Sequence, residues 1–596
     1  MQVDANKSGF TIKAHIGDAK TLLAFNLPKA QIKNLAGFTL ACTPPGQPSY
    51  YIYNKLQFKD PSQHAQNKTE PGYSSINAPI QKFRWLHVPG NFKSQIVKYG
   101  IYTYAVTPRY FDDKGSLLAL ESDLTLEIKV NVAPFEKKTI QLGFTRGFVQ
   151  SQAFEQHFGN KLVLQPATRP LTFPTNQTAG KNADGQPYTY LQEYNWSGFT
   201  ARERIFSLLK EVEDDGLSFD VFAYDLNEPD IVAAFLKLAA KGKIRMILDN
   251  AALHLAKKNK KTGKITESPE DLFTSAFNKA RKGGAEIKRG KFSRFSHDKV
   301  IILKKGDTAV KVLTGSTNFS VTGVYVNSNH LLIFEDSKIA ALYADVFAES
   351  WKDNVKTAPF EKASWATKSF HFPATNPTID FAFSPHDKTF ATEYLGNIAS
   401  RITKEKSSVL FAVMDTGPKS SGPIFPALRA LHADQKIFSY GISDNPGGIT
   451  LYKPSSKTGV IVTGKPVGTK LPPPFNQEVG IGLGHQIHHK FVVCGFNTVK
   501  AEVFCGSSNL ALGGEQANGD NLISIRDEDI ATVFALEALA LVDHFHFRNA
   551  NQTVKKKSGK KPVITKKPLF LYQNNKWAVS YFDSNDFHYV DRMLFS

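Results

Sequence analysis

The sequence predicts an α/β protein of two related half-domains set about a pseudo-twofold axis, with an all-β sandwich ahead of them. Three observations predict it. The first is an internal repeat: His297, Lys299, Gly315, Ser316 and Asn318 recur as His488, Lys490, Gly506, Ser507 and Asn509, all at one offset of 191 residues. Five preset identities in one register arise by chance on the order of once in a million trials, so duplication is the better explanation. The second is the alternation of amphipathic helices and apolar strands after residue 190, the pattern of parallel βαβ units. The third is a series of short aromatic strands between Gly, Pro and Asn turns over residues 1–135.

Residues 1–135 contain T21-L-L-A-F25, S49-Y-Y-I-Y53, F83-R-W-L-H87, I101-Y-T-Y-A-V106 and L124-T-L-E-I-K-V-N-V132. About seven short strands in that length suit a sandwich resembling immunoglobulin or fibronectin type III domains. No chemistry is visible there, so an interaction or spacer module is expected, able to bind another protein. Residues 136–190 read as a linker with one helix near Ser151–His157, and Pro166–Gly185 as loop. The first half-domain is expected over 191–355, a connection over 356–390 and the second half-domain over 391–596. In the first, helix 201–209 and strand 218–224 precede helix 230–240 and strand 243–249. In the second, strands 408–414 and 437–442 flank a helix from Pro423 to His432. After Asn551 come seven lysines, then two expected strands, 569–572 and 577–581.

The repeated residues carry polar chemistry. On a strand of period two, His297 and Lys299 point to one face, as do His488 and Lys490. Ser316 and Asn318 follow the next strand, and Ser507 and Asn509 follow its copy. Two such halves brought together offer two imidazoles, two ammonium groups and two carboxamides. That set suits a phosphodiester: cations and amide donors for the non-bridging oxygens, imidazoles for the chemistry. A zinc reading of His485, His488, His489 and Cys494 has no counterpart in the other half. His544 and His546 read as part of a packed helix.

The duplicated H-x-K with a downstream G-S-x-N resembles the phospholipase D superfamily, over roughly residues 190–596. The resemblance implies two phospholipase D-like α/β half-domains, one shared site and no metal or other cofactor. It implies His297 as the nucleophile that forms a phosphohistidine and His488 as the acid/base. Lys299, Lys490, Asn318 and Asn509 would hold phosphoryl oxygens, with Ser316 and Ser507 assisting. The family's motif Asp falls on Lys304 and Gly495, so it is missing twice, as it also is in the tyrosyl-DNA phosphodiesterase branch. The carboxylate that usually orients each histidine falls on Asn329 in one half and Asp520 in the other, again one repeat apart.

Bulk properties narrow the partner. At 596 residues, 41% hydrophobic and 21% charged, the chain is neither disordered nor a membrane bundle. No apolar run reaches a transmembrane length, the first residues lack a secretory signal's apolar core, and three cysteines make no disulfide framework. The cytoplasm is the expected compartment. A net charge of +19 favours a polyanion. Thirteen Lys or Arg against five acids lie between Lys257 and Lys299, which marks Lys288, Arg289, Lys291 and Arg294 as candidate substrate-binding residues. The expected function is phosphodiester hydrolysis with nucleic acid favoured as substrate. A phospholipase or phosphatidyl transferase is the alternative, and a non-catalytic binding scaffold the second alternative.

Overall fold

The computed structural model describes residues 2–90, 97–147, 151–159, 164–182, 184–212, 216–373, 377–414, 422–432, 436–443, 460–463, 487–550 and 570–596. The N-terminal part is a sandwich of two four-stranded antiparallel sheets. One orders Gln2–Lys7, Phe10–Ile16, Thr21–Asn26 and Arg84–His87, and the other Tyr50–Tyr51, Leu35–Thr43, Gly100–Tyr110 and Leu126–Val132. Strand Leu126–Val132 shows why it folds this way. Leu126, Ile128, Val130 and Val132 are buried and the residues between them exposed, the alternation a half-buried strand requires. Ile12, Phe25, Phe38 and Tyr104 meet in the core.

The tail completes this sandwich, but not as strands. Residues 570–572 form no strand, and the second expected strand is a helical turn, Lys576–Val579, running into Ser580–Phe582. Trp577 and Tyr581 stand four residues apart, so a helical turn puts both rings on one face. That face lies on Phe83, with ring centroids at 5.5 and 4.9 Å, and Trp577 Nε1 donates to the Leu35 carbonyl.

Each half-domain is a mixed sheet. The first orders Glu286–Gly290, Ile244–Asp249, Leu217–Ala223, Val300–Lys305, Thr308–Gly315, His330–Phe334, Ile140–Phe144 and Glu136–Lys137. The second repeats the order with Val460–Thr463, Phe438–Ser443, Ser408–Val413, Phe491–Cys494, Glu502–Gly506, Asn518–Arg526, Thr378–Ser384 and Phe370–Phe372. Ile140–Phe144 pairs with His330–Phe334 as Thr378–Ser384 pairs with Asn518–Arg526. The supposed linker 136–190 therefore supplies edge strands to the first sheet, and the supposed connection 356–390 supplies edge strands to the second. The expected helix is present at Ser151–Phe158, while the supposed loop carries a small hairpin, Thr178–Lys181 with Pro187–Thr189.

Buried polar contacts fasten the sandwich to the rest. Asp18 accepts from the Phe135 N–H and from Thr200, Lys20 pairs with Glu537, and Arg84 pairs with Asp543 and Asp591. Cys42, Cys494 and Cys505 are buried free thiols. Among the described residues, no helix is long and apolar enough to cross a membrane.

Candidate active site

The two halves meet by exchanging backbone. Strand Phe295–Ser296 of the first half pairs in parallel with Asn518–Gly519 of the second, and Ile487 of the second forms a parallel bridge with Ser328 of the first. The His297 N–H donates to the Gly519 carbonyl at 2.8 Å, and the His488 N–H to the Ser328 carbonyl at 3.1 Å. Gly519 and Ser328 are themselves one repeat apart, so the exchange is reciprocal. Each H-x-K tripeptide lies just ahead of its strand, Val300–Lys305 or Phe491–Cys494, rather than within it.

Side chains follow the same exchange. His297 Nδ1 lies 2.6 Å from Asp520 Oδ1, and His488 Nδ1 lies 2.8 Å from Asn329 Oδ1 and 3.0 Å from the Ser316 carbonyl. In both rings Nδ1 carries the proton, because the Asp520, Asn329 and Ser316 oxygens it faces are acceptors, and this directs each Nε2 away from its orienting group. The ring centroids stand 6.5 Å apart. Lys299 and Lys490 each donate to the carbonyl of the histidine two residues before, and Lys299 lies 4.7 Å from the Tyr224 ring centre. Ser316 donates to Asn329 Oδ1 at 2.8 Å, so it assists by holding the group that holds His488. The carboxamide oxygens of Asn318 and Asn509 are buried with no protein partner, which leaves hydrogen-bonding capacity on both amides.

Glycine is required at the two strand ends. Gly315 and Gly506 have φ of 141° and 132°, and an added Cβ would sit 2.5 Å from the His330 carbonyl oxygen or 2.4 Å from that of Asn521. Ser316 and Ser507 can then donate their N–H groups to these same carbonyls, at 2.9 and 3.1 Å.

Beneath the histidines the halves diverge. Asp298 Oδ1 accepts from Asn521 Nδ2 at 2.9 Å, whereas the equivalent pair is His489 with His330, Nδ1 to Nδ1 at 3.1 Å and rings stacked. His489 in turn faces Glu537 at 3.4 Å.

Burial pushes the His297 imidazole down to about 4, with Asp520 opposing, so the ring is neutral at pH 7. Burial would raise the Asp520 carboxyl, but His297 and Lys299 outweigh it and hold it below the usual range. Burial also brings Lys299 down to about 8, against the pull of Asp520 and Asp298. Burial and the nearby Asp520 push Asp298 up to about 7.

Ten of the fourteen sequence-predicted site residues therefore belong to the repeated cluster at the interface of the halves. The four basic ones divide. Lys288 donates to the Trp351 carbonyl at the end of helix Ser337–Lys352 and lies over the Trp351 ring, and Arg289 is bonded to Asp271, Thr274 and the carbonyls of Asp249 and His254. These two hold the fold together. Lys291 and Arg294 are exposed. Asp298, Tyr224, His330 and Asn521 were not singled out from the sequence, and His489 only as a candidate zinc ligand. The repeat is read by identity, and positions 298/489 and 330/521 differ between copies. The zinc alternative fails on two members: Cys494 lies in an apolar core with Val409 and Phe504, and His489 faces His330. His485 is outside the described residues.

Two half-domains that exchange strands and hold paired H-x-K histidines at their seam define a duplicated α/β fold with one shared site. The chain is similar to the phospholipase D superfamily. The family described as cardiolipin synthase, phospholipase D-like domain, matches residues 209–351. A phospholipase D of Rickettsia prowazekii (strain Madrid E) is 27% identical over 137 residues, 23% of this chain; the match spans 57% of that relative's length. Among solved structures, phosphatidylserine synthase of Haemophilus influenzae is 10% identical with a TM-score of 0.39, covering 57% of this chain and 83% of that one. The phospholipase D family member Nuc of Salmonella typhimurium is 21% identical with a TM-score of 0.19, covering 25% and 86%.

Proposed function

We propose that the protein hydrolyses phosphodiester bonds through a phosphohistidine at His297. One observation carries this reading: two imidazoles face each other across the seam, each oriented through Nδ1 by an acceptor from the opposite half. Neutral His297 attacks phosphorus through Nε2 while the bond to the leaving oxygen breaks. His488, in its protonated form, gives that oxygen a proton from Nε2. His488 then takes a proton from water, which attacks the phosphohistidine and returns His297 as the free imidazole. The carboxylate belongs on the nucleophile's side, because phosphorylation makes that ring positive and Asp520 stabilises the charge. Lys299, Lys490, Asn318 and Asn509 bind the non-bridging oxygens.

Nucleic acid is the favoured substrate. Five exposed lysines, Lys257, Lys258, Lys260, Lys261 and Lys264, sit on a protruding hairpin, with Lys291 and Arg294 also exposed, on a chain of net charge +19. Phospholipid turnover is the second reading, favoured by the names of the matching family and of the Rickettsia relative. The deciding experiment incubates purified protein in excess EDTA with single- and double-stranded DNA, RNA and phosphatidylcholine. Nucleic-acid cleavage without lipid turnover is expected; the reverse would install the second reading. Metal-dependent turnover with no phosphohistidine adduct on the quenched protein would overturn the two-histidine chemistry.

A further inference from the structure

We propose that Asp225, His254 and Glu270 form a binding site for a divalent transition-metal ion of the zinc class, structural in role and separate from the phosphodiester chemistry. One ligand atom from each residue lies within 4.8 Å of the other two, and all three residues are buried. The ligand atoms Asp225 Oδ1, His254 Nε2 and Glu270 Oε2 are buried without a hydrogen-bond partner. Tetrahedral ligands about 2.1 Å from an ion stand about 3.4 Å apart, so small side-chain adjustments close the set.

The surrounding bonds make the three atoms ligands rather than loose ends. His254 Nδ1 lies 2.7 Å from Asp249 Oδ2, and that carboxylate is fixed by the N–H groups of Ala251 and Ser296. Nδ1 therefore bears the proton and Nε2 presents its lone pair, the carboxylate–histidine arrangement that orients a metal-bound imidazole. Glu270 Oε1 is occupied by the Leu226 N–H at 3.2 Å, which aims Oε2 inward. Three acceptors then converge with no donor among them, and among the described residues neither Asp225 nor Glu270 has a salt-bridge partner. A dication neutralises both. One imidazole with two carboxylates suits zinc or manganese better than magnesium.

The location gives the ion its work. Glu270 opens helix Pro269–Ala280, which follows the lysine hairpin of Lys257–Lys258 and Ile265–Thr266, and His254 precedes that hairpin. Asp225 follows strand Leu217–Ala223. An ion held by all three ties both ends of the hairpin to the sheet. The Tyr224 ring packs against His254 and His297 alike, with both centroid distances 4.7 Å, so the ion lies behind the catalytic histidine rather than facing the phosphoryl group.

The test uses the full chain, stripped with EDTA and desalted, titrated by calorimetry with zinc and separately with manganese and magnesium. One zinc per chain is expected, with magnesium binding at least 100-fold more weakly. Glu270→Gln keeps the bond to Leu226, and His254→Asn is similar in size; each should weaken zinc at least 100-fold, while His297→Ala should leave it unchanged. Zinc should also slow tryptic cleavage at Lys257–Lys264 in the parent chain and not in either variant. No saturable binding, or binding undiminished in both variants, overturns the proposal. So does a Glu270→Gln protein that is more stable than its parent with zinc present, since a shared proton would then satisfy the trio.

Discussion

His297 and Asp520 are 223 positions apart in sequence and 2.6 Å apart at Nδ1 and Oδ1. The corresponding pair, His488 and Asn329, is joined from the opposite direction at 2.8 Å. A carboxylate supports positive charge on its imidazole and an amide supports it less, so the seam is symmetric in geometry and asymmetric in charge. Asp520→Asn should therefore lower kcat/KM by roughly 100-fold, even toward a nitrophenyl phosphodiester, because it weakens the attacking ring. Asn329→Asp should cost less than about tenfold on that substrate, whose leaving group needs little protonation. Equal losses in the two variants would remove the distinction between the rings.

The two histidines should separate in their kinetics. His297→Ala should abolish turnover of every substrate, since no covalent step remains. His488→Asn should still be phosphorylated by a nitrophenyl diester, then hydrolyse slowly, giving a burst and an adduct that peptide mapping finds on His297. An adduct on His488 in the His297 variant would reverse the assignment.

The pH profile follows from two buried groups. His297 attacks only when neutral, so kcat/KM should fall as pH drops through about 4. Lys299 binds phosphoryl oxygen only when protonated, so with a nitrophenyl diester, whose leaving group needs no proton from His488, kcat/KM should fall as pH rises through about 8. Asp520 is the foremost group opposing the loss of the Lys299 proton to burial. Asp520→Asn should therefore move the alkaline limb to lower pH; an unmoved limb would mean that another group sets it.

Salt dependence tests the basic surface. Replacing Lys291 and Arg294 with Ala, together with the hairpin lysines Lys257, Lys258, Lys260 and Lys261, should flatten the fall of nucleic-acid affinity with salt. Turnover of a small phosphodiester should change less than about twofold, since these side chains are exposed. Retention of the parent slope would move the polyanion contact elsewhere.

The site was legible in the sequence wherever the duplicate kept its identities, and even Asn329 and Asp520 could be paired by register. Cross-orientation was not legible, because the repeat aligns each histidine with its own half's downstream residue while the fold hands it to the other. The edge strand Ile140–Phe144 was missed because I140-Q-L-G-F144 has no alternation long enough to mark it; pairing with His330–Phe334 creates it. Trp577 and Tyr581 suggested a strand through β propensity, yet burial against Phe83 selects a helical turn. Lys288 and Arg289 looked like substrate ligands by charge alone, a signal that cannot show an internal partner.

Lys20 is the sandwich's buried counter-charge to Glu537 on helix Glu528–Ala550. Burial would raise that carboxyl, yet Lys20 and His489 outweigh it and hold it down at about 2. Replacing Lys20 with Met would leave that carboxylate buried with His489 as its remaining neighbour, at a cost of about 3–5 kcal/mol, against a total stability of order 5–15 kcal/mol. The sandwich is thus not a module that recombination could shed freely. A relative that dispenses with it is expected to carry an uncharged residue where this chain has Glu537, the two losses travelling together through descent.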